Sequence, residues 1–217
     1  MTTMSSKSHL PAEKDEGRDT YHHGALRSAL LQAATDILRE NGPEGFSLRE
    51  AARRAGVSPG APAHHFGSVA GLLTEVAING FVELTEALRR ARTASSSPGS
   101  QLRSQGESYV SFAIGAPGRF QLMFRHDLLL ENDERLEAAG QAALAELETS
   151  IRDYLTTGLS ADESRLQPLL LGAWSTVHGF AHLAIDGKLH TMAFPNSLVH
   201  FVAQALPEVL LAMLPDR

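Results

Sequence analysis

The sequence predicts an all-α protein in which a small N-terminal three-helix unit is joined by a long helix to a larger helical bundle. Three observations predict it. Between Ser47 and Phe66, two short helical patterns flank a glycine turn, the arrangement of a helix-turn-helix. Every other strongly patterned segment repeats its apolar residues at helical spacing, and nothing reads as a strand pair. At 217 residues and 43% hydrophobic content, the chain can bury a substantial core.

Residues 1–20 are too poor in apolar side chains to fold alone and are read as a mobile arm. Helix 1 is expected from about Gly24 to Glu40, with Leu26, Leu30, Ala33, Ala34, Ile37 and Leu38 on one face. Asn41, Gly42 and Pro43 stop it, and Phe46 is placed to plug the three-helix core. Ser47 and Glu50 have the spacing of a capping box, in which each side chain covers a backbone N–H of the new helix. Leu48, Ala51, Ala52 and Ala55 then form a packing stripe, leaving Arg49, Arg53 and Arg54 off it for solvent or phosphate. Gly56 ends this helix, Val57 plugs the angle, Ser58 is placed to cap the second helix, and Pro59 suits its first position. Pro62 still falls in the opening turn. With only Gly60, Ala61 and Ala63 in its first half, the second helix can approach a groove floor or a phosphate closely. Taken alone, the same pattern also suits an αα-hairpin in an ordinary bundle.

After Gly67 and Ser68, a long helix runs to about Arg92 with Leu72, Leu73, Val76, Ile78, Phe81, Leu84 and Leu88 apolar. It is longer than the small unit needs, which makes it a lever to the C-terminal segments. Thr93 to Ser100 reads as a low-complexity loop. Further helices are expected at about Gln101–Ile114, Pro117–Arg125, Leu128–Thr157, Glu163–Ile185 and Pro195–Leu214, the last kinked or broken at Pro207. The segment Leu166–Ile185 is apolar nearly all the way round, and the last helix adds Leu198, Val199, Phe201, Val202, Leu206, Val209, Leu210 and Met213. A homodimeric four-helix interface from these two helices is the expected way to cover both. The organisation is thus an arm at 1–20, a helix-turn-helix domain at 21–67 and a helical ligand-binding and dimerisation domain at 68–217.

No cysteine is present, which excludes a disulfide framework and thiolate chemistry. The first 20 residues lack the apolar stretch of a secretory signal, and no segment offers about 18 uninterrupted apolar residues, so a cytoplasmic protein with no membrane partner is expected. The net charge of −6 is unevenly spread. Residues 21–66 carry 5 arginines against 4 carboxylates, whereas residues 101–217 carry 8 basic against 14 acidic side chains. His22, His23, His64 and His65 can add positive charge beside a polyanion, which makes the N-terminal unit a weakly basic DNA reader.

Chemistry-bearing residues cluster late in the chain. His178, His182 and Asp186 succeed one another at four-residue intervals and stack on one helix face, where two histidines can share a metal. Three readings stand: a metal site, a polar contact in a ligand pocket, or hydrogen-bonded core histidines. The first would make a helical metalloenzyme; otherwise no catalytic residue, metal or cofactor is assigned. Tyr109, Phe112, Phe120, Met123 and Phe124 could line an apolar cavity with Trp174, or simply fill a core. Arg119, Arg125 and His126 could anchor an anionic group or stand at a solvated helix end.

These segments resemble the TetR family of transcriptional regulators over nearly the whole chain. The resemblance rests on YHHGALRSALLQAA from Tyr21, GFSLREAARRAGVSPGAPAHHF from Gly45, FAIGAPGRFQLMF from Phe112 and AWSTVHGFAHL from Ala173. The last two resemble a subgroup with a Trp-x-x-x-His-Gly motif in its C-terminal domain. The resemblance implies a homodimeric regulator, usually a repressor, that binds a near-palindromic operator and releases it when a partly apolar small molecule fills the C-terminal domain. It implies a recognition helix at Pro59–His65 and DNA contacts from Ser47, Arg49, Ser58, Gly60, Ala61, His64 and His65. Effector contacts fall to Tyr109, Phe112, Phe120, Met123, Phe124, Trp174, His178 and His182. Ala63 stands where the family commonly has a phosphate-binding Tyr, and Val69 where a Lys usually opens the next helix. Both departures remove a backbone contact, so weakened DNA binding is expected, and a homologue that has lost DNA recognition is an alternative.

Overall fold

The computed structural model describes residues 16–156, 163–193 and 197–214, and among them ten α-helices and no strand. Helix α1 (Glu16–Asn41) starts well before Gly24, so part of the stretch expected to be an arm is helical. Its apolar stripe is as anticipated, with Leu30, Ala34, Ile37 and Leu38 fully buried. Helices α2 (Leu48–Arg54) and α3 (Ala61–Phe66) complete the helix-turn-helix. Phe46, Leu48 and Phe66 pack against the main core from this side.

Helix α4 (Val69–Thr93) is the centre of the molecule. Ser68 caps it, its Oγ accepting the Gly71 N–H at 3.0 Å. Gly71 has no side chain because none fits: a Cβ there would stand 2.0 Å from the Phe66 carbonyl oxygen. The end of α3 therefore rests directly on the first turn of α4. Further along, α4 buries Leu72, Val76, Phe81, Leu84 and Leu88 against the C-terminal helices, so one core runs from the small unit into the large one.

Two helix starts differ from expectation for the same reason. Helix α5 (Pro98–Gly115) begins inside the serine-rich stretch read as a loop, because Ser97 and Ser100 form a reciprocal capping box. Helix α6 (Pro117–Met123) comes next, then a 3₁₀ turn at His126–Leu128, where a helix start was expected. Helix α7 (Glu134–Thr156) begins later, because the Asp133 carboxylate accepts the N–H groups of Arg135 (3.0 Å) and Leu136 (3.2 Å). In each case short polar side chains, rather than the apolar stripe, decide where the helix opens.

A 3₁₀ turn at Glu163–Arg165 leads into α8 (Leu166–Ile185), followed by the short α9 (His190–Ala193) and α10 (Leu198–Met213). Helix α10 continues through Pro207, where a kink or break was expected; Thr157 and Pro195, bounds expected for two helices, lie outside the described residues. A second core of Leu102, Ile151, Tyr154, Leu155, Leu166 and Leu170 closes the far end. Helix α8 is not buried all round: Leu171, Trp174 and Leu183 are exposed on it, as are Val199, Val209 and Leu211 on α10. Among the described residues, no helix is long and apolar enough to cross a membrane.

Candidate nucleic-acid interface and ligand cavity

The turn and outer face of α3 present Ser58, Pro59, Gly60, Ala63 and His64 to solvent, with Ala61 and His65 half-buried and Pro62 turned into the core. The helix starts two residues later than expected. Gly60, not Ser58, is its N-cap; the Ser58 carbonyl accepts the Ala61 N–H at 3.0 Å in the turn before it. Apart from the two histidines the side chains there are small, so backbone can come close to whatever faces it.

Ser47 and Arg49 are both exposed at the start of α2. The Ser47 Oγ accepts the Glu50 N–H at 3.4 Å, but the reciprocal half of the capping box does not form. The Glu50 carboxylate instead takes the guanidinium groups of Arg53 and Arg54 at 2.8 Å. Charge-assisted bonds win over a neutral backbone donor. Hydrogen bonds from Arg53 first, then Arg54, hold the Glu50 carboxyl down at about 2. Arg54 is further clamped by Glu40 at 2.8 and 2.7 Å. Of the three arginines on α2, Arg49 alone makes no ion pair among the described residues.

The larger unit holds a cavity of about 570 Å³ between α4, α5, α7 and α8. Phe81, Leu84 and Leu88 of α4 form one wall, and Tyr109, Met123, Phe124 and Trp174 contribute as the sequence suggested. Phe112, Phe120, His178 and His182 do not line it. Phe120 is fully buried behind the wall, its ring centroid 5.6 Å from Tyr109 and 5.2 Å from Phe124. Phe112 lies beneath the Arg119 guanidinium, 5.4 Å from the ring centroid.

His178 acts through a lining residue. Its Nδ1 is 2.8 Å from the Tyr109 hydroxyl, with the Phe124 and His182 rings each 4.7 Å away. Burial, then the neighbouring His182, lowers the His178 pKa from its ordinary value, which favours the neutral ring. Burial likewise pushes the Tyr109 phenol up. The pair is thus a neutral hydrogen-bonded strut. Nδ1 is engaged, Asp186 stands at the exposed C-cap of α8, and among the described residues no three His, Cys, Asp or Glu side chains cluster to hold a metal. The metalloenzyme reading lacks a donor set there.

Sequence reasoning missed the polar lining. Gln105, only 2% exposed, stands in the cavity wall on the same stripe as Leu102 and Tyr109. An amide on an otherwise apolar stripe was the signal. Glu131 and Asp133, from the loop before α7, and Glu137, from its first turn, also line the cavity. The arginines weighed as anion anchors are engaged elsewhere: Arg119 with Glu83, and Arg125 with Asp127 and Glu44. His126 does line the cavity.

This arrangement matches known proteins at both ends. The family described as "Bacterial regulatory proteins, tetR family" matches residues 30–76, and "Tetracyclin repressor-like, C-terminal domain" matches residues 102–206. A protein of unknown function from Rhodococcus sp. RHA1 is 30% identical in a structural match with TM-score 0.72, covering 90% of this chain and 98% of that one. The TetR family regulator PfmR from Thermus thermophilus is 22% identical with TM-score 0.64, covering 87% and 99%. The uncharacterized HTH-type transcriptional regulator YobS of Bacillus subtilis is 24% identical over 160 residues, 74% of this chain and 79% of the relative.

Proposed function

We propose, from the premise that the chain belongs to the TetR family of bacterial regulatory proteins, that it is a cytoplasmic repressor that binds a near-palindromic operator as a homodimer. An effector filling the C-terminal cavity lowers its operator affinity. Residues 21–67 read DNA and residues 68–217 bind effector and partner. One observation carries this reading: α4 both supports α3, through the Phe66–Gly71 approach, and walls the cavity with Phe81, Leu84 and Leu88. An occupant of the cavity therefore acts on the helix on which the reading surface rests, and it shifts the balance between two dimer geometries only as far as it prefers one of them.

The DNA-facing set is Ser47, Arg49, Ser58, Gly60, Ala61, His64 and His65, with Arg49 supplying the available guanidinium. The exposed apolar residues of α8 and α10 support a two-fold interface that spaces two α3 helices about one DNA turn apart, roughly 34 Å. The interlocking of Trp174, His178 and Tyr109 supports the Trp-x-x-x-His-Gly subgroup. Weak DNA affinity is supported by the retention of Arg53 and Arg54 by Glu50 and Glu40, and by the exposed Ala63 and Val69. Footprinting of the full-length protein on the DNA upstream of its own gene tests the reading. Protection of a near-palindrome is expected, with a shallow salt dependence; a folded, dimeric protein that protects nothing there overturns it.

A further inference from the structure

The chemistry of the cavity selects among ligands, given the proposed role of the cavity as the effector site. Its walls are largely apolar, and among its polar groups, which include the donors Tyr109, His126, Asn132, Gln141 and Trp174, three are carboxylates. Glu131, Asp133 and Glu137 line it, whereas no lysine or arginine does. Glu131 and Glu137 make no ion pair among the described residues; Asp133 is paired with Arg135. The guanidinium groups nearest in sequence are all committed to carboxylates, Arg125 to Glu44 and Asp127, Arg135 to Asp133 and Glu75.

Gln105 points the same way independently. Its Nε2 donates to the Leu88 carbonyl (3.3 Å) and the Glu146 carbonyl (3.4 Å), which fixes the amide, since reversing it would set oxygen against two oxygens. The Oε1 is then left buried with no hydrogen-bond partner. A buried acceptor without a donor costs free energy that a ligand N–H or O–H restores. A carboxylate or phosphate ligand has no donor to offer and would meet the mouth carboxylates with like charge.

We propose that the cavity binds an elongated, largely apolar amine, its protonated nitrogen at the mouth among Glu131, Asp133 and Glu137 and a hydrogen-bond donor directed to Gln105. The aromatic rings of Phe81, Tyr109, Phe124 and Trp174 in the wall suit a cation as well as a hydrocarbon. An effector of this class needs no lysine or arginine anchor, and neither lines the cavity.

Dodecylamine and dodecanoate share one alkyl chain and differ in head charge, and Trp174, the one tryptophan of the chain, lines the cavity and reports its occupancy. Titrated below their micellar concentrations into the full-length dimer, dodecylamine is expected to change Trp174 fluorescence saturably. Its binding should be at least about tenfold tighter than that of dodecanoate, narrowing with added salt. The exposed double substitution Glu131→Gln with Glu137→Gln should remove most of that preference while leaving the melting temperature unchanged. The ω-hydroxy analogue of dodecylamine should lose affinity relative to dodecylamine in Gln105→Leu but not in the parent. Equal or tighter binding of dodecanoate, no response to either compound, or a preference that survives the double substitution overturns the inference. Footprinting of ligand-free protein is independent of all three results, so failure of the regulator reading is seen separately.

Discussion

Replacing Gly118 by alanine strikes the junction between the two halves of the molecule. Gly118 is buried in the first turn of α6, and a Cβ there would stand 1.9 Å from the Leu38 carbonyl oxygen and 3.3 Å from the Gly42 Cα, against a floor of 3.0 Å for real contacts. The two backbones must therefore separate by at least about 1 Å at that point, taking the difference between 1.9 and 3.0 Å. The Leu38 oxygen cannot swing aside cheaply, because it already accepts the Gly42 N–H at 2.9 Å and closes α1. Overpacking against side chains costs about 1–3 kcal/mol, and against two backbones the upper half of that range applies, about 2–3 kcal/mol. For a chain of this size that lowers Tm by about 4–12 °C. Gly140→Ala in the middle of α7 is the matched control, since its Cβ would meet nothing closer than Phe81 at 3.9 Å. There the gain in helix propensity, about 0.8–1 kcal/mol, should raise Tm by about 2–4 °C. Thermal melts and operator titrations of both variants check the pair. Gly118→Ala melting at the parental temperature with parental DNA affinity would refute a rigid α1–α6 junction.

Glu50→Gln should release Arg53 and part of the hold on Arg54, raising DNA affinity and steepening the slope of log affinity against log salt by about 1–2; an unchanged slope in anisotropy titrations counts against it. His178 titrates below the ordinary histidine value of 6.5, so the folded chain binds fewer protons there than the unfolded one. Its contribution is complete above that value and is lost as pH falls through it towards the folded pKa, so Tm should decline in that window and His178→Gln should flatten the decline. A Tm that rises on acidification contradicts the assignment. Leu171→Asp combined with Leu183→Asp, both on the exposed face of α8, should yield a helical monomer in analytical ultracentrifugation; a persistent dimer places the interface elsewhere.

Features legible in the sequence are those set by local interactions. The stripes of α1 and α4 and the turns at Gly56 and at Gly67–Ser68 depend on neighbours a few residues away, and they appear where spacing places them. Whether an aromatic residue lines a cavity or backs it depends on another helix. Phe120 and Phe124 lie four residues apart on neighbouring turns, yet only Phe124 reaches the cavity, because Tyr109 and His178 enclose Phe120. The competition for Glu50 between its own capping role and two arginines is likewise invisible to a spacing rule.

The charge balance shows the same limit with a functional consequence. An acidic C-terminal half looks, as a sum, like an obstacle to DNA binding. In three dimensions Glu75 takes Arg27 and Arg135, Glu83 takes Arg119, and Glu146 takes Arg89 and Arg92, which ties α4 to α1, α6 and α7. Glu131 and Glu137, without ion pairs among the described residues, line the cavity mouth. Part of the acidic excess thus stands at the cavity mouth rather than on the outer face of α3. Screening over about 8–10 Å confines its influence to that mouth. A net charge of −6 is therefore compatible with the proposed reading surface of Arg49 and small residues, and on that proposal it bears on the choice of effector more than on the grip on DNA.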